Sequence, residues 1–350
     1  MKLSFLSSLR FRGIVVLLLA IAPLVGLLVW DYADHRREAL AQGQEEALRL
    51  ARLASWQQKE MIDDARTLLA ALAYSSPVQS GDAASCQGLV TRLLQENPGY
   101  ANIGVAAPDG NIFCSAVALN QPFNASERLW FQLANQTRQF AVGEYQIGAI
   151  TGKSVLVFGQ PLLDSGGEVK AVAFAALDLA WLGQFLSELQ LPSGSDVLVV
   201  DRSGTILARY PDHEQWVGKP APQGRLMEAV IEESEGSVEA PGVDWIVRVH
   251  GFTAMGHMLP EQQISLSVGI PRSVLLAGAN RLLIRNLAFL VTAVLLFIGV
   301  AIVSGRFLLL QPIGALIRTS QKVAVGDEKA RTGLDHRRDE FGELGRAFDS

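Results

Sequence analysis

The chain has 350 residues, of which 49% are hydrophobic and 19% charged, with a formal net charge of −5 and two cysteines. That much apolar material supplies packed cores and excludes disorder as the main state. A mean hydropathy of +0.23 is high for a soluble globular protein and directs attention to concentrated apolar runs.

The first run, residues 13–30, has 18 residues without a charge and follows Lys2, Arg10 and Arg12, with no acid among the first twelve residues. That length crosses a bilayer. The run ends in Val29-Trp30-Asp31 and not in the small-residue site of a cleavable signal, so an uncleaved anchor behind a short tail (1–12) is expected. Residues 31–75 contain no proline and place Ala47, Leu50, Ala54, Met61, Ala65, Leu68 and Leu72 at mostly helical spacing. This predicts one long helix continuing from the span.

A hairpin is predicted at 103–114, where Pro108-Asp109-Gly110 separates two apolar runs, and 197–208 repeats the plan around Asp201-Arg202-Ser203-Gly204. Gly110 aligns with Gly204, Ile103 with Val197, Val105 with Val199 and Ile112 with Ile206, all at an offset of 94; Leu177 and Ile270, near the ends of the two units, are 93 apart. A constant offset at both ends marks a duplication. Residues 31–280 are therefore read as α+β: the helix 31–75, then two related antiparallel modules at about 76–185 and 186–280.

The second apolar run, 286–305, has 20 residues without a charge and is closed by Arg306. Two spans put both chain ends on one side, and the basic N-terminal tail makes that side the cytoplasm. Eleven of the 30 Lys+Arg and seven of the 35 Asp+Glu lie in the two end pieces, so the region between carries 19 basic and 28 acidic side chains. A net charge near −9 there argues against nucleic acid as a partner. In the last piece, 306–350, Pro312 opens a helix with Ile313, Leu316, Ser320 and Val323 on one seam. Gly326-Asp327 breaks it, and Asp339-Glu340 starts a second helix with Phe341, Leu344 and Phe348. Seams this short are not stable as isolated helices, which implies a homodimer.

The proline after the second span, the Gly326-Asp327 break and Asp339-Glu340-Phe341-Gly342 resemble a HAMP domain, the parallel four-helix linker of bacterial transmembrane receptors. The region 31–280 resembles a double Cache sensor, a long helix followed by two PAS-like modules. The resemblance implies a multi-pass receptor of the bacterial inner membrane with a periplasmic sensor. It also implies an effector after HAMP: a diguanylate cyclase first, then a histidine kinase or a chemotaxis signalling helix. The chain stops inside the second HAMP helix, as a fragment of a longer receptor would.

A guanidinium beside aromatic rings binds a carboxylate and shields it from water. Phe123, Arg128, Trp130 and Phe131, followed by Tyr145 and Asp178, supply this chemistry. In amino-acid-binding double Cache domains an Arg-x-Trp-Tyr motif holds the ligand carboxylate, and a later tyrosine and aspartate hold its amino group. The resemblance gives these roles to Arg128 and Trp130, and to Tyr145 and Asp178. Phe131 and Phe123 stand where hydroxyls are expected, so the ligand is an amine, a carboxylate or an amino-acid-like molecule, with a periplasmic protein partner as the alternative. The plainer readings are an Arg128 salt bridge to Glu127 or Glu144 and a Trp130 core anchor. Lys153 is a further candidate, more simply read as a solvated loop lysine.

Cys86 and Cys114 are expected to pair in an oxidising compartment. His35, His213, His250, His257 and His336 are scattered without ligand spacing, so no metal or cofactor is expected. Nor does this stretch carry a catalytic motif.

Overall fold

A computed structural model describes residues 9–119, 121–255, 263–324, 330–336 and 339–350, with side chains for all of these except 9–18, 20, 57–59 and 308–309. Lys2, His257 and the Gly326-Asp327 break lie outside the described residues, and the side chains of Arg10 and Arg12 outside the described side chains. Ala33–Gly278 forms one compact unit, and the chain up to Tyr32 with Ala279–Ser350 forms another.

The first unit is built on helix α1 (Leu9–Ala73). Its buried stripe is Ala47, Ala51, Ala54, Ile62, Ala65, Leu69 and Leu72. Leu50, Met61 and Leu68, predicted for that stripe, lie one position from it and are half-buried. Small alanines on successive turns at 47, 51 and 54, and again at 65, let the helix lie close on the sheets that follow.

After α2 (Ser76–Ser80), helix α3 (Ala83–Glu96) begins at Asp82, whose carboxylate accepts from the backbone N–H groups of Ala84 and Ser85. The first sheet contains β1 (Tyr100–Ala106), β2 (Ile112–Ser115), β3 (Ala141–Ile147), β4 (Ser154–Leu163) and β5 (Val169–Asp178), with α4 (Leu129–Thr137) between β2 and β3. Its order is β2-β1-β5-β4-β3, antiparallel throughout. Helix α5 (Leu179–Ser187) leads to the second sheet: β6 (Asp196–Asp201), β7 (Ile206–Tyr210), β8 (Glu235–Pro241), β9 (Val247–Ala254) and β10 (Ile264–Pro271). Two helices, α6 (His213–Trp216) and α7 (Arg225–Glu232), precede β8, and the order is β7-β6-β10-β9-β8.

The duplication extends to single residues. Val105 pairs with Cys114 and Ala106 with Ile112 across a bulge, while 94 positions later Val199 pairs with Ala208 and Val200 with Ile206 across another. Gly110 and Gly204 turn these hairpins at φ of 88° and 80°, where a side chain would be strained. The central strands are buried on both faces; β5 accordingly reads as a nearly continuous apolar run, whereas β10 alternates Ile264, Leu266, Val268 and Ile270 with the buried Ser265, Ser267 and Gly269. On β5, Ala173, Ala175 and Leu177 face the α1 core, whereas Val172, Phe174 and Ala176 face α4.

Cys86 of α3 and Cys114 of β2 form a disulfide with a Cα separation of 6.0 Å. It ties a helix to the sheet's edge strand.

Short helix α8 (Arg272–Leu275) closes the first unit. Helix α9 (Ala277–Ser304), a π-helical turn (Gly305–Leu310) and α10 (Gln311–Ala324) run on without interruption. Among the described residues this stretch, Ala277–Ala324, is the one helix long and apolar enough to cross a membrane. It exposes Phe289, Leu295, Phe297 and Ile302. Helix α11 (Glu340–Asp349) is capped by Asp339, which accepts from the Gly342 N–H, and the Thr332 N–H and hydroxyl both donate to Asp349 at 2.7 Å.

Candidate functional site

Within the first module a cavity of about 40 Å³ lies between the α4 face of the sheet and the loop 148–151. Trp130 forms its wall. The indole is buried, meets Phe174 at 5.3 Å between centroids and Phe131 edge-on at 5.8 Å. Gly143 and Gly159 make room for it, since a Cβ on either would come within 3.1 Å of Trp130 atoms. Trp130 is thus both core anchor and cavity lining.

Arg128 sits at the N-cap of α4 in an extended conformation and lines the cavity, its guanidinium carbon 5.6 Å from the Phe123 ring centre. No acidic side chain among the described residues forms an ion pair with it, so the bridges to Glu127 or Glu144 are not made. The remaining lining is apolar apart from Asn102, Gln146 and the loop 148–151. Asn102 is fixed: its amide N–H donates to the Ser115 hydroxyl at 2.9 Å and its oxygen accepts from the Val117 N–H at 3.0 Å. The loop is drawn tight by Gly152 N–H to Gly148 O and Gly148 N–H to Lys153 O, at 2.7 and 2.8 Å.

Of the six residues expected at the site, Phe123, Arg128 and Trp130 come together around the cavity. Phe131 is buried behind Trp130. Tyr145 faces away. An extra residue between Val142 and Tyr145 bulges β3, so that Tyr145 pairs with Leu156 on the α1 side and Gln146 with Val155 on the cavity side. The Tyr145 hydroxyl lies 3.2 Å from the Ser154 hydroxyl. Asp178 shares the cavity face of β5 with Ala176 but is engaged: Lys153 Nζ donates to Oδ2 at 2.6 Å and the Ala180 N–H to Oδ1 at 3.0 Å, capping α5. Lys153 is therefore an ion-pair partner whose side chain stays more than half exposed, a solvated lysine as well. Sequence reasoning missed Asn102 and Gln146; a buried polar residue inside the apolar run of β1 was the available signal for the first.

The same rows of the second module hold charges. In the first module Ala176 pairs with Asn102 and Val157; in the second Gly269 pairs with Asp196 and His250. Arg248 lies two pairs further out, opposite Pro271, with Nη1 3.3 Å from Asp196 and 2.6 Å from Asp244, and Arg209 reaches Asp244 at 2.8 Å. Burial pushes the Asp196 carboxyl up to about 6 against the opposing pull of both arginines. Burial and the Arg248 charge bring His250 down to about 4. A third place, an open cleft of about 290 Å³, gathers Glu60, Asp64 and Glu96 around Tyr100 and Trp181. Burial and the Asp64 charge raise the Tyr100 phenol to about 12.

The Cache domain family matches residues 32–279, and the HAMP domain family residues 307–350. The chain belongs to the Cache domain family. Among solved Cache-like structures, the ligand-binding domain of the Pseudomonas fluorescens chemoreceptor CtaA in complex with L-isoleucine has a TM-score of 0.54 and 18% identity, covering 69% of this chain and 96% of that one. The periplasmic sensory domain of the Campylobacter jejuni chemoreceptor Tlp1 has a TM-score of 0.52 and 10% identity, covering 68% and 98%. Sporulation kinase D of Bacillus subtilis (strain 168) is 22% identical over 190 residues, 54% of this chain and 37% of the kinase. The chain spans little more than a third of that relative. At these identities the likeness is one of fold. A Cache sensor joined to a HAMP domain describes a membrane-anchored receptor whose sensor lies outside the cell.

Proposed function

We propose that this protein is a two-span receptor that binds a small carboxylate-bearing molecule in the first Cache module and relays the event through HAMP to a cytoplasmic effector. The observation that carries the ligand class is Arg128, a guanidinium without an acidic partner among the described residues, lining a cavity whose other lining residues are uncharged and mostly apolar. In such a low-dielectric site a carboxylate gains a charge-assisted, bidentate partner. The binding of L-isoleucine by the CtaA domain supports the same site class. A ligand shifts the receptor only by its difference in affinity for two states.

The second span of this reading is residues 13–30, within α1. The homodimer rests on the HAMP seam, where Ile313, Leu344 and Phe348 are exposed in the single chain as coiled-coil positions awaiting a partner. The effector belongs to the diguanylate cyclase, histidine kinase or chemoreceptor class. The kinase and the chemoreceptors among the relatives favour the latter two.

The test is calorimetric titration of the whole chain in lipid nanodiscs against a panel of small carboxylates, amines and amino acids. Binding of a carboxylate that is lost in Arg128→Ala, with an unchanged melting temperature for the unliganded variant, is the expected result. Equal binding by that variant would place the site elsewhere, and no binding across the panel would favour a protein partner.

A further inference from the structure

We propose that the cavity selects short aliphatic monocarboxylates and rejects their α-amino counterparts, because Lys153 occupies the carboxylate that an incoming ammonium group would need. This inference rests on the reading of the cavity as the ligand site. Arg128 is the one charged side chain in the described lining, and no carboxylate lines the cavity. The acid nearest in the register is Asp178, one alternation beyond Ala176 on the cavity face of β5 and paired with the lining residue Val155.

Both oxygens of Asp178 are committed, Oδ2 to Lys153 and Oδ1 to the first turn of α5. The side chain of Asp178 is 11% exposed. A zwitterion whose carboxylate met Arg128 would bring its ammonium among aromatic and aliphatic walls and the uncharged Asn102, Gln146 and Thr151, without a counter-charge, and a buried charge lacking one is disfavoured. Reaching Asp178 would mean breaking the Lys153 ion pair at 2.6 Å and releasing that half-exposed lysine to water, a cost that a monocarboxylate does not meet. A monocarboxylate needs Arg128 alone, and its hydrocarbon tail suits Phe123, Trp130, Val157 and Phe174.

Size points the same way. One water needs about 10–15 Å³ of cavity volume, so about 40 Å³ holds three or four heavy atoms, the size of acetate or, with slight yielding of the loop, propionate. The loop that carries Lys153 also forms the cavity's rim, through the Gly148 N–H to Lys153 carbonyl bond at 2.8 Å. Selection and closure therefore share one segment.

The experiment compares sodium propionate with L-alanine, which is the same acid with an added ammonium group, by calorimetry on the whole chain in nanodiscs. Wild type is expected to bind propionate at least tenfold more tightly than L-alanine. Lys153→Met, which frees Asp178, is expected to shrink that ratio several-fold by strengthening L-alanine, whereas Lys153→Arg keeps it. Arg128→Ala should abolish propionate binding. It also separates the cavity from the acidic cleft around Tyr100, where binding would not depend on Arg128.

L-alanine binding as tightly as propionate in wild type, with both lost in Arg128→Ala, overturns the selectivity and leaves the site in place. An unchanged ratio in Lys153→Met overturns the role of Lys153. Propionate binding that survives Arg128→Ala overturns the site and the selectivity together.

Discussion

Asp196 and His250 flank Gly269 and titrate in opposite senses. Asp196 has its carboxyl raised to about 6 by burial, so the folded chain takes up its proton before the unfolded chain does. Its contribution to stability is full below the unfolded value of 3.8 and is lost as pH rises through about 6. His250, depressed by burial to about 4, contributes above its unfolded value of 6.5 and loses that contribution as pH falls toward 4. Asp244 is raised by burial but lowered further by Arg248 and the Ile246 N–H, to about 2, and stays ionised throughout. The two slopes oppose each other between pH 4 and 6, so the wild-type melting temperature is expected to be nearly flat there. Asp196→Asn exposes the histidine slope, and melting temperature falls on acidification. His250→Gln exposes the carboxyl slope, and it rises. Melting curves at stepped pH check the pair, and a common direction in both variants would refute the assignment.

At the scale of elements, the disulfide and the β3 bulge set the geometry of the first module. Cys86 and Cys114 close a loop of 28 residues, which by chain entropy stabilises the fold by about 3–4 kcal/mol. Cys86→Ser is expected to lower unfolding free energy by roughly that amount, measured by urea titration of the extracytoplasmic unit; a loss below about 1 kcal/mol would mean that the denatured state is already compact there. The pairing was legible in the sequence because only two cysteines were present. The long helix, the two hairpins and their offset were legible too, since turn residues and helical spacing are local signals. The bulge was not. One extra residue between Val142 and Tyr145 is invisible in composition, yet it exchanges Tyr145 for Gln146 at the cavity. Likewise, Arg128 and Trp130 were marked by their residue types, while the engagement of Asp178 by Lys153 depends on a 25-residue separation that only the fold closes.

At the scale of the molecule, the HAMP seam predicts an assembly. Leu344→Cys is expected to give a disulfide-linked dimer when membranes holding the full chain are oxidised, and Glu343→Cys, one position off the seam, markedly less. Crosslinking that is equal at both positions, or absent at both, would count against a seam-mediated dimer. The two Cache modules share a frame and differ in what fills it. Where the first keeps Asn102, Val155 and Val157 around open space, the second sets Asp196, Arg248 and His250 against one another. A duplicated gene segment carries two copies of every solution, and only one copy needs to remain receptive. On the reading proposed above, the second copy holds a permanent guest made of its own side chains, Asp196, Arg248 and His250, at the rows where the first copy leaves room for a visitor.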